Sequence, residues 1–115
     1  MNEYGLSLEN PRCLIITKGK RASVNADRLE AFALNHRLQV VESLINDEKA
    51  FEKIQYYLEH ESVSTILIRS LWDVSKDKDI LYQLLKLAAD HGVSVNEEER
   101  GWQAATIVWD GGDGC

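Results

Sequence analysis

Basic side chains cluster where the first apolar segment of the chain ends. Lys18, Lys20 and Arg21 stand directly before a predicted helix, and Gly19 lies among them. Helix N-termini attract anions, and glycine allows a close approach to the backbone, so this loop could bind a phosphate or a carboxylate. The chain has neither the GxGxxG nor the P-loop spacing of glycines. A solvated basic turn is therefore the simpler interpretation of the same residues.

A second candidate loop follows the third apolar segment. Arg69 comes directly after that segment and would add a guanidinium to the anion site. Ser70 and Ser75 follow it, but no histidine lies in the candidate loops to activate a serine. Trp72 could serve as an exposed anchor for a partner, because tryptophan is frequent in binding hot spots. It could equally fold back over the core.

Two further tryptophans, Trp102 and Trp109, flank the last apolar segment. An edge strand that carries aromatic residues can pair with another chain. The alternative is a last sheet strand whose tryptophans cover the core. With Trp72, these two residues complete the set of candidate partner contacts.

Metal and thiol chemistry find little support in the sequence. Cys13 and Cys115 form no CxxC pair, and we expect both to be reduced, although the sequence also permits a disulfide between them. His36, His60 and His91 each fall near the predicted end of a helix, where a cation meets the helix dipole favourably. The metal-ligating side chains are too few and too scattered for a zinc site, and we expect no cofactor.

The elements that must position these residues alternate in type. Short β-branched runs alternate with amphipathic stretches in the order β-α-β-α-β-α-β-β. This order predicts an α/β fold of three layers, with an open, mostly parallel sheet of four to five strands and helices on both faces. The predicted strands are residues 13–18, 38–45, 64–69, 93–95 and 104–109, and the predicted helices are 26–37, 48–60 and 77–91.

Local signals refine this pattern and set the domain limits. Ser23 or Asn25 is predicted to cap the first helix, and Asp47 and Glu48 are expected to cap the second rather than act as a general base. We expect residues 1–11 to form a loose arm, residues 12–109 a single domain and residues 110–115 a flexible tail.

Charge and composition restrict the classes of function. The 115 residues carry 13 basic and 19 acidic side chains, a net charge of −6. Residues 1–37 hold six basic and four acidic residues (+2), so residues 38–115 hold seven and 15 (−8). An acidic domain repels the phosphate backbone, which disfavours autonomous nucleic-acid binding. No segment has the length of a membrane span or the pattern of a secretory signal, so we expect a cytoplasmic location.

The element order and several local patterns resemble the N-terminal catalytic domain of the serine recombinases, the resolvase/invertase family. Residues 14–19 (LIITKG) correspond to the family's first strand, and Leu29 and Phe32 stand at its Leu-x-x-Leu step. Residues 63–95 resemble its third strand, loop, leucine-rich helix and Gly-Val turn. The resemblance covers roughly residues 13–99 and implies the resolvase fold.

The chain departs from the family at the reactive motifs. At the family's Arg-x-Ser motif it has Thr17-Lys18-Gly19, within one position, and the nearest serine, Ser23, already enters the helix. At the family's Asp-Arg-x-x-Arg loop it has SLWDVSK, so Arg69 is the nearest arginine. Phosphoryl transfer through a serine needs a nucleophile and several guanidinium groups. We also expect neither the family's long dimer helix nor its helix-turn-helix domain.

Three hypotheses follow from these residues. The first is a non-catalytic, resolvase-like domain of a bacterial or phage regulator or accessory subunit. It would act through contacts with a partner protein or in a homo-oligomer. The alternative is a small anion- or nucleotide-binding module that uses Lys18, Gly19, Lys20, Arg21 and Arg69. A residual strand-transfer or nuclease activity is the third.

Overall fold

A computed structural model describes residues 11–104. Ten elements follow one another in this part of the chain, three of them α-helices, five of them strands and two of them short 3₁₀ turns. The elements are β1 (Arg12–Thr17), α1 (Ala22–Asn35), β2 (Gln39–Ile45), α2 (Ala50–Glu59), β3 (Thr65–Ile68), a 3₁₀ turn (Leu71–Asp73), α3 (Lys78–Asp90), β4 (Ser94–Glu97), a second 3₁₀ turn (Glu98–Arg100) and β5 (Gln103–Ala104).

The strands form one sheet in the order β2-β1-β3-β4-β5. The first four run parallel, and β5 pairs antiparallel with β4. Crossover helices join the parallel strands, as the alternating sequence pattern requires. The predicted α/β architecture is therefore confirmed.

Helices cover both faces of the sheet and create two separate cores. On one face, side chains of α2 and α3 pack on alternate residues of the strands. The fully buried members include Leu14, Ile16, Leu44, Ile54, Leu58, Ile66, Ile68, Leu81 and Leu84. On the other face, α1 packs through Ala26, Leu29 and Ala33 on Cys13, Ile15 and Leu67. Strand β1 is buried on both faces, which explains its continuous apolar run.

The first helix begins earlier than its sequence signals indicate. The predicted caps Ser23 and Asn25 lie inside α1, and Arg21 is the N-cap residue without a side-chain cap hydrogen bond. Gly19 has φ of 101°, and its carbonyl accepts the N–H of Ala22 at 3.2 Å. The chain therefore turns into the helix at the glycine, before it reaches the serine.

The loop after β3 is more ordered than the sequence indicates. Leu71–Asp73 forms a 3₁₀ turn whose cap is Ser70, and the Ser70 hydroxyl accepts the N–H of Trp72 at 3.2 Å. Strand β4 also extends beyond the predicted strand 93–95, because Asn96 and Glu97 belong to it.

All three helices end in the same way. The C-cap residues are His36, His60 and His91, which confirms the predicted position of each histidine. A residue with positive φ follows each histidine, and the next N–H bonds back into the last helical turn, as in a Schellman motif. The left-handed residues are Arg37, Glu61 and Gly92.

Several predictions fall outside residues 11–104. They concern most of the arm 1–11, the strand segment 105–109 with Trp109, and the tail 110–115 with Cys115. Within the described part, no helix is both long and apolar enough to cross a membrane.

Candidate functional site

The carboxyl ends of β1, β2 and β3 meet at one edge of the sheet, where ligands bind in open parallel sheets. A cleft of about 210 Å³ opens there. Its walls combine apolar side chains with a few polar ones from the three loops. The lining residues are Ile16, Thr17, Lys18, Asp47, Glu48, Ala50, Phe51, Asp73, Val74, Ser75 and Ile80.

An asparagine fixes the loop that follows β1. Asn46 Oδ1 accepts the N–H of Gly19 at 2.8 Å, and Asn46 Nδ2 donates to the Gly19 carbonyl at 3.1 Å. Asn46 itself has φ of 51°, a conformation that asparagine adopts more readily than most residues. The sequence did not reveal this contact, because it joins residues 27 positions apart.

The hydroxyl at the end of β1 is already engaged. Thr17 is 1% exposed, and its Oγ1 donates a hydrogen bond to the carbonyl of Ala22 at 2.9 Å. A nucleophilic hydroxyl must reach substrate and pass its proton to a base. Thr17 satisfies neither condition, and Ser23 lies in the first turn of α1.

Carboxylates outnumber cations in the cleft. Lys18 is the one basic side chain among its lining residues, against Asp47, Glu48 and Asp73. Asp47 forms an ion pair with Lys53, and this hydrogen bond is the main cause that lowers the pKa of Asp47. The cleft therefore offers little positive potential to a phosphate.

The Arg69 guanidinium is bound to carboxylates of the protein itself. Its Nη2 donates to Asp73 Oδ1 at 2.8 Å, its Nε lies 3.3 Å from Asp73 Oδ2, and its Nη1 lies 3.7 Å from Glu99 Oε1. The hydrogen bond to Asp73 raises the pKa of Arg69 further above its ordinary value. Asp73 is buried and lines the cleft, so the guanidinium fixes a wall of the cleft.

A buried glutamate holds the 3₁₀ turn in place. Glu97 is 3% exposed, and its Oε2 accepts the N–H of Leu71 at 2.7 Å. Its Oε1 lies 3.3 Å from Nε of Arg100. The sequence of residues 96–101 (NEEERG) does not indicate that one of these glutamates is buried, because its contact with Leu71 depends on the pairing of β3 with β4.

Two serines stand in the loop after β3. Ser70 is 2% exposed, and its hydroxyl caps the 3₁₀ turn. Ser75 lines the cleft, and its Oγ accepts the N–H of Asp77 at 3.0 Å. The cleft-lining residues include no histidine, so the geometry supplies no imidazole base for Ser75.

The remaining basic residues of the predicted anion site lie in the loop before α1. Lys20 and Arg21 are exposed and do not line the cleft, whereas Lys18 does. Four of the five residues of the predicted anion site therefore lie together in this loop, whereas the fifth, Arg69, is paired with Asp73. Anion binding by the loop stays a prediction.

The tryptophans have different environments. Trp72 is 44% exposed on the 3₁₀ turn that carries Asp73. Trp102 stacks on Phe32 with ring centroids 3.9 Å apart, so it covers the core of the α1 face. Trp102 has φ of 69°, a strained conformation for a bulky side chain. Trp72 is therefore the available aromatic contact near the cleft.

Thiol and metal chemistry remain without a site in residues 11–104. Burial raises the pKa of the Cys13 thiol to about 11, which disfavours the reactive thiolate. No group of three or more histidine, cysteine or acidic side chains in this part of the chain is placed to hold a metal ion.

The fold is similar to that of a known recombinase. A resolvase family site-specific recombinase from Streptococcus pneumoniae aligns with a TM-score of 0.67 and 16% sequence identity. The alignment covers 79% of this chain and 74% of the recombinase. The chain has a resolvase-like fold.

Sequence comparisons add no further relationship. No protein-family model matches the chain, and no curated protein matches it. The resolvase-like fold is thus retained at an identity of 16%, where the structural likeness defines the scaffold but carries no activity with it.

Proposed function

We propose that this resolvase-like domain does not transfer DNA strands and acts through contacts with other proteins. The observation that carries the proposal is the state of the cleft at the carboxyl ends of the strands. Its lining includes one cation, Lys18, and three carboxylates, and the adjacent guanidinium of Arg69 is bound to Asp73. Phosphoryl transfer depends on several positive groups aimed at the developing charge, and Lys18 is the single basic side chain among the lining residues.

A protein-contact role is supported by the surface beside the cleft. Trp72 combines 44% exposure with a backbone held by the Ser70 cap and the Glu97 carboxylate. An aromatic side chain on a fixed turn loses little conformational freedom on binding, which favours affinity. Trp72 is therefore the residue on which we expect a partner to depend.

Capture of partners by the immobilised full chain from a lysate of its native host tests this role. Proteins that bind through the turn should be retained by the wild type and lost with Trp72→Ala. Tyr82→Ala is the matched control, because Tyr82 is 46% exposed on α3. Partners that are retained equally by wild type and Trp72→Ala would contradict the assignment of Trp72.

Agarose gels with supercoiled plasmid test the absence of strand transfer. We expect no conversion to the nicked circle at any ratio of protein to DNA. Ser75→Ala is the informative variant if nicking occurs, because Ser75 lines the cleft beside a lysine-bearing loop. Nicking by the wild type that disappears in Ser75→Ala would overturn the proposal.

The alternative function, an anion-binding module, rests on the exposed Lys20 and Arg21 before the uncapped N-terminus of α1. Thermal-shift measurements with inorganic phosphate and with nucleoside mono- and triphosphates separate it from the first proposal. Stabilisation that is abolished by Lys20→Ala with Arg21→Ala would favour the module. An unchanged melting temperature across the panel would exclude it.

A further inference from the structure

A second pocket, of about 350 Å³, lies on the face of the sheet that α1 covers. Among the described helices α1 alone packs on this face, and it lies over β1 and β2, so the pocket opens over β3 and β4. Several lining residues lie at the amino ends of the strands, away from the cleft at the carboxyl ends. The lining residues are Pro11, Phe32, His36, Leu38, Ser64, Thr65, Leu67, Ser94, Asn96 and Trp102.

Three aromatic rings contribute to the wall of this pocket. Phe32 stacks on Trp102 with ring centroids 3.9 Å apart, and its centroid lies 4.1 Å from that of His36. Trp102 and the preceding Gly101 both have φ of 69°. A bulky residue rarely adopts this conformation, and strained residues concentrate at functional sites. The Trp102 N–H donates to the Glu97 carbonyl at 2.8 Å, so the backbone that carries the indole is fixed.

A hydrogen-bonded set of polar side chains lies beside the rings. Thr65 is 8% exposed, and its Oγ1 accepts a hydrogen bond from Asn96 Nδ2 at 2.8 Å. The same Nδ2 donates to Ser94 Oγ at 3.2 Å, so both hydrogens of the amide are used within the protein. The amide oxygen, Asn96 Oδ1, is therefore the atom that can accept a hydrogen bond from a ligand.

The pocket lining carries no carboxylate, ammonium or guanidinium group, and His36 is its one titratable side chain. A charged ligand would lose its hydration there without an ionic partner, so the pocket suits an uncharged ligand. Pockets of this volume that combine aromatic walls with a few polar groups bind small organic molecules. The matching chemistry is a flat ring with apolar faces and a hydrogen-bond donor at its edge.

We propose that this pocket binds a free nucleoside whose base carries an amino group, as adenosine does. The base presents its ring to the aromatic wall, and its amino group donates to Asn96 Oδ1. The net charge of −6 favours a free nucleoside over a nucleic-acid strand as the source of the base. The inference goes beyond the proposed function, because it involves neither the cleft nor Trp72.

Two-dimensional NMR of the isotope-labelled full chain, titrated with adenosine, tests the site. We expect the indole N–H of Trp102 and the side-chain amide of Asn96 to shift, whereas the indole N–H of Trp72 stays in place. Trp72 is the internal control, because it is 44% exposed and would report non-specific stacking. Absence of shifts at roughly 10 mM adenosine, or equal shifts at Trp72 and Trp102, would overturn the inference.

The amino group and its acceptor are tested together by a double comparison. Purine riboside lacks the amino group and should bind on the order of tenfold more weakly than adenosine. Asn96→Ala should weaken adenosine by a similar factor and remove the preference for adenosine over purine riboside. Gln83→Ala is the matched control, because it removes an exposed amide from α3 on the other face of the sheet. A preference that persists in Asn96→Ala would contradict the assignment of this residue.

Phosphorylated ligands separate this pocket from the basic loop before α1. Adenosine monophosphate should bind no more tightly than adenosine, because the pocket lining offers no cation to the phosphate. Tighter binding of the monophosphate that is lost with Lys20→Ala and Arg21→Ala would place the ligand at the basic loop and overturn the inference. An oligoadenylate that binds more tightly than adenosine would contradict the choice of a free nucleoside.

Discussion

Two polar side chains near the carboxyl ends of the strands form hydrogen bonds within the protein. The Thr17 hydroxyl donates a hydrogen bond to a main-chain carbonyl, and the Arg69 guanidinium donates one to the Asp73 carboxylate. The Thr17 hydroxyl and the Arg69 guanidinium are thus both bound within the protein. The same contacts fix the loops, so removing them should change stability rather than activity.

The two hydrogen bonds between the Asn46 side chain and the Gly19 backbone, the Asn46–Gly19 bridge, are the clearest example of a contact that fixes a loop. Asn46→Gly keeps the left-handed backbone and removes the two side-chain hydrogen bonds, so we expect it to lower the free energy of unfolding by about 1 kcal/mol. Asn46→Ala adds the cost of a left-handed residue with a Cβ and should lose about 2 kcal/mol. Urea unfolding measures both. Wild-type stability in the two variants would show that the bridge contributes nothing.

The ion pair between Arg28 and Glu98 predicts a loss of stability in acid. The hydrogen bond from Arg28 lowers the pKa of Glu98 below its ordinary value of 4.5. The unfolded state then binds more protons than the folded state as pH falls, so this stabilisation is present above 4.5 and lost below it. We expect Glu98→Gln to flatten the dependence of the free energy of unfolding on pH. If the free energy of unfolding of this variant falls in acid as steeply as that of the wild type, the Arg28–Glu98 pair is not the cause.

The position of each helix or strand follows from the spacing of its apolar residues. The residue at which a helix ends depends instead on backbone conformation. The three helices stop at a histidine followed by a left-handed residue, and only the last of these residues is glycine. Left-handed conformation costs a non-glycine residue roughly 1–2 kcal/mol. The ends of α1 and α2 therefore hold strain that the end of α3 avoids.

Glycine substitutions measure this strain. Arg37→Gly and Glu61→Gly should each raise the free energy of unfolding by up to about 1 kcal/mol, after the entropy of glycine in the unfolded state is subtracted. Gly92→Ala should lower it by about 1 kcal/mol, and this loss is conformational because, apart from the adjoining residues, nothing lies within 4 Å of the added Cβ. Thermal melts compare the three variants. Stabilisation by Gly92→Ala would contradict the argument.

The sequence predicted the elements better than the contacts between them. Strand β1 is visible because a buried strand requires a continuous apolar run, and α3 because its apolar residues recur at helical spacing. The start of α1 was missed since Arg21 begins it without a side-chain cap. The bond from Leu71 to Glu97 was also missed, because residues 26 positions apart leave no local pattern.

On the scale of the whole molecule, a resolvase-like scaffold carries a net charge of −6. Binding of DNA depends on the release of counterions from phosphates by lysine and arginine, so this charge disfavours the substrate of strand transfer as well as its chemistry. The fold positions three loops at one edge; Asn46 joins the loops after β1 and β2, and Arg69 binds Asp73 within the loop after β3. This combination supports the proposed role in contacts with other proteins.

Mass spectrometry of the full chain after incubation with excess supercoiled plasmid tests this account most directly. The DNA is digested with nuclease and the protein is denatured before measurement, so that a covalently attached nucleotide would remain on a side chain. We predict the unmodified mass alone. A species heavier by one or more nucleotides, with the added mass on a hydroxyl of the cleft, would contradict the account.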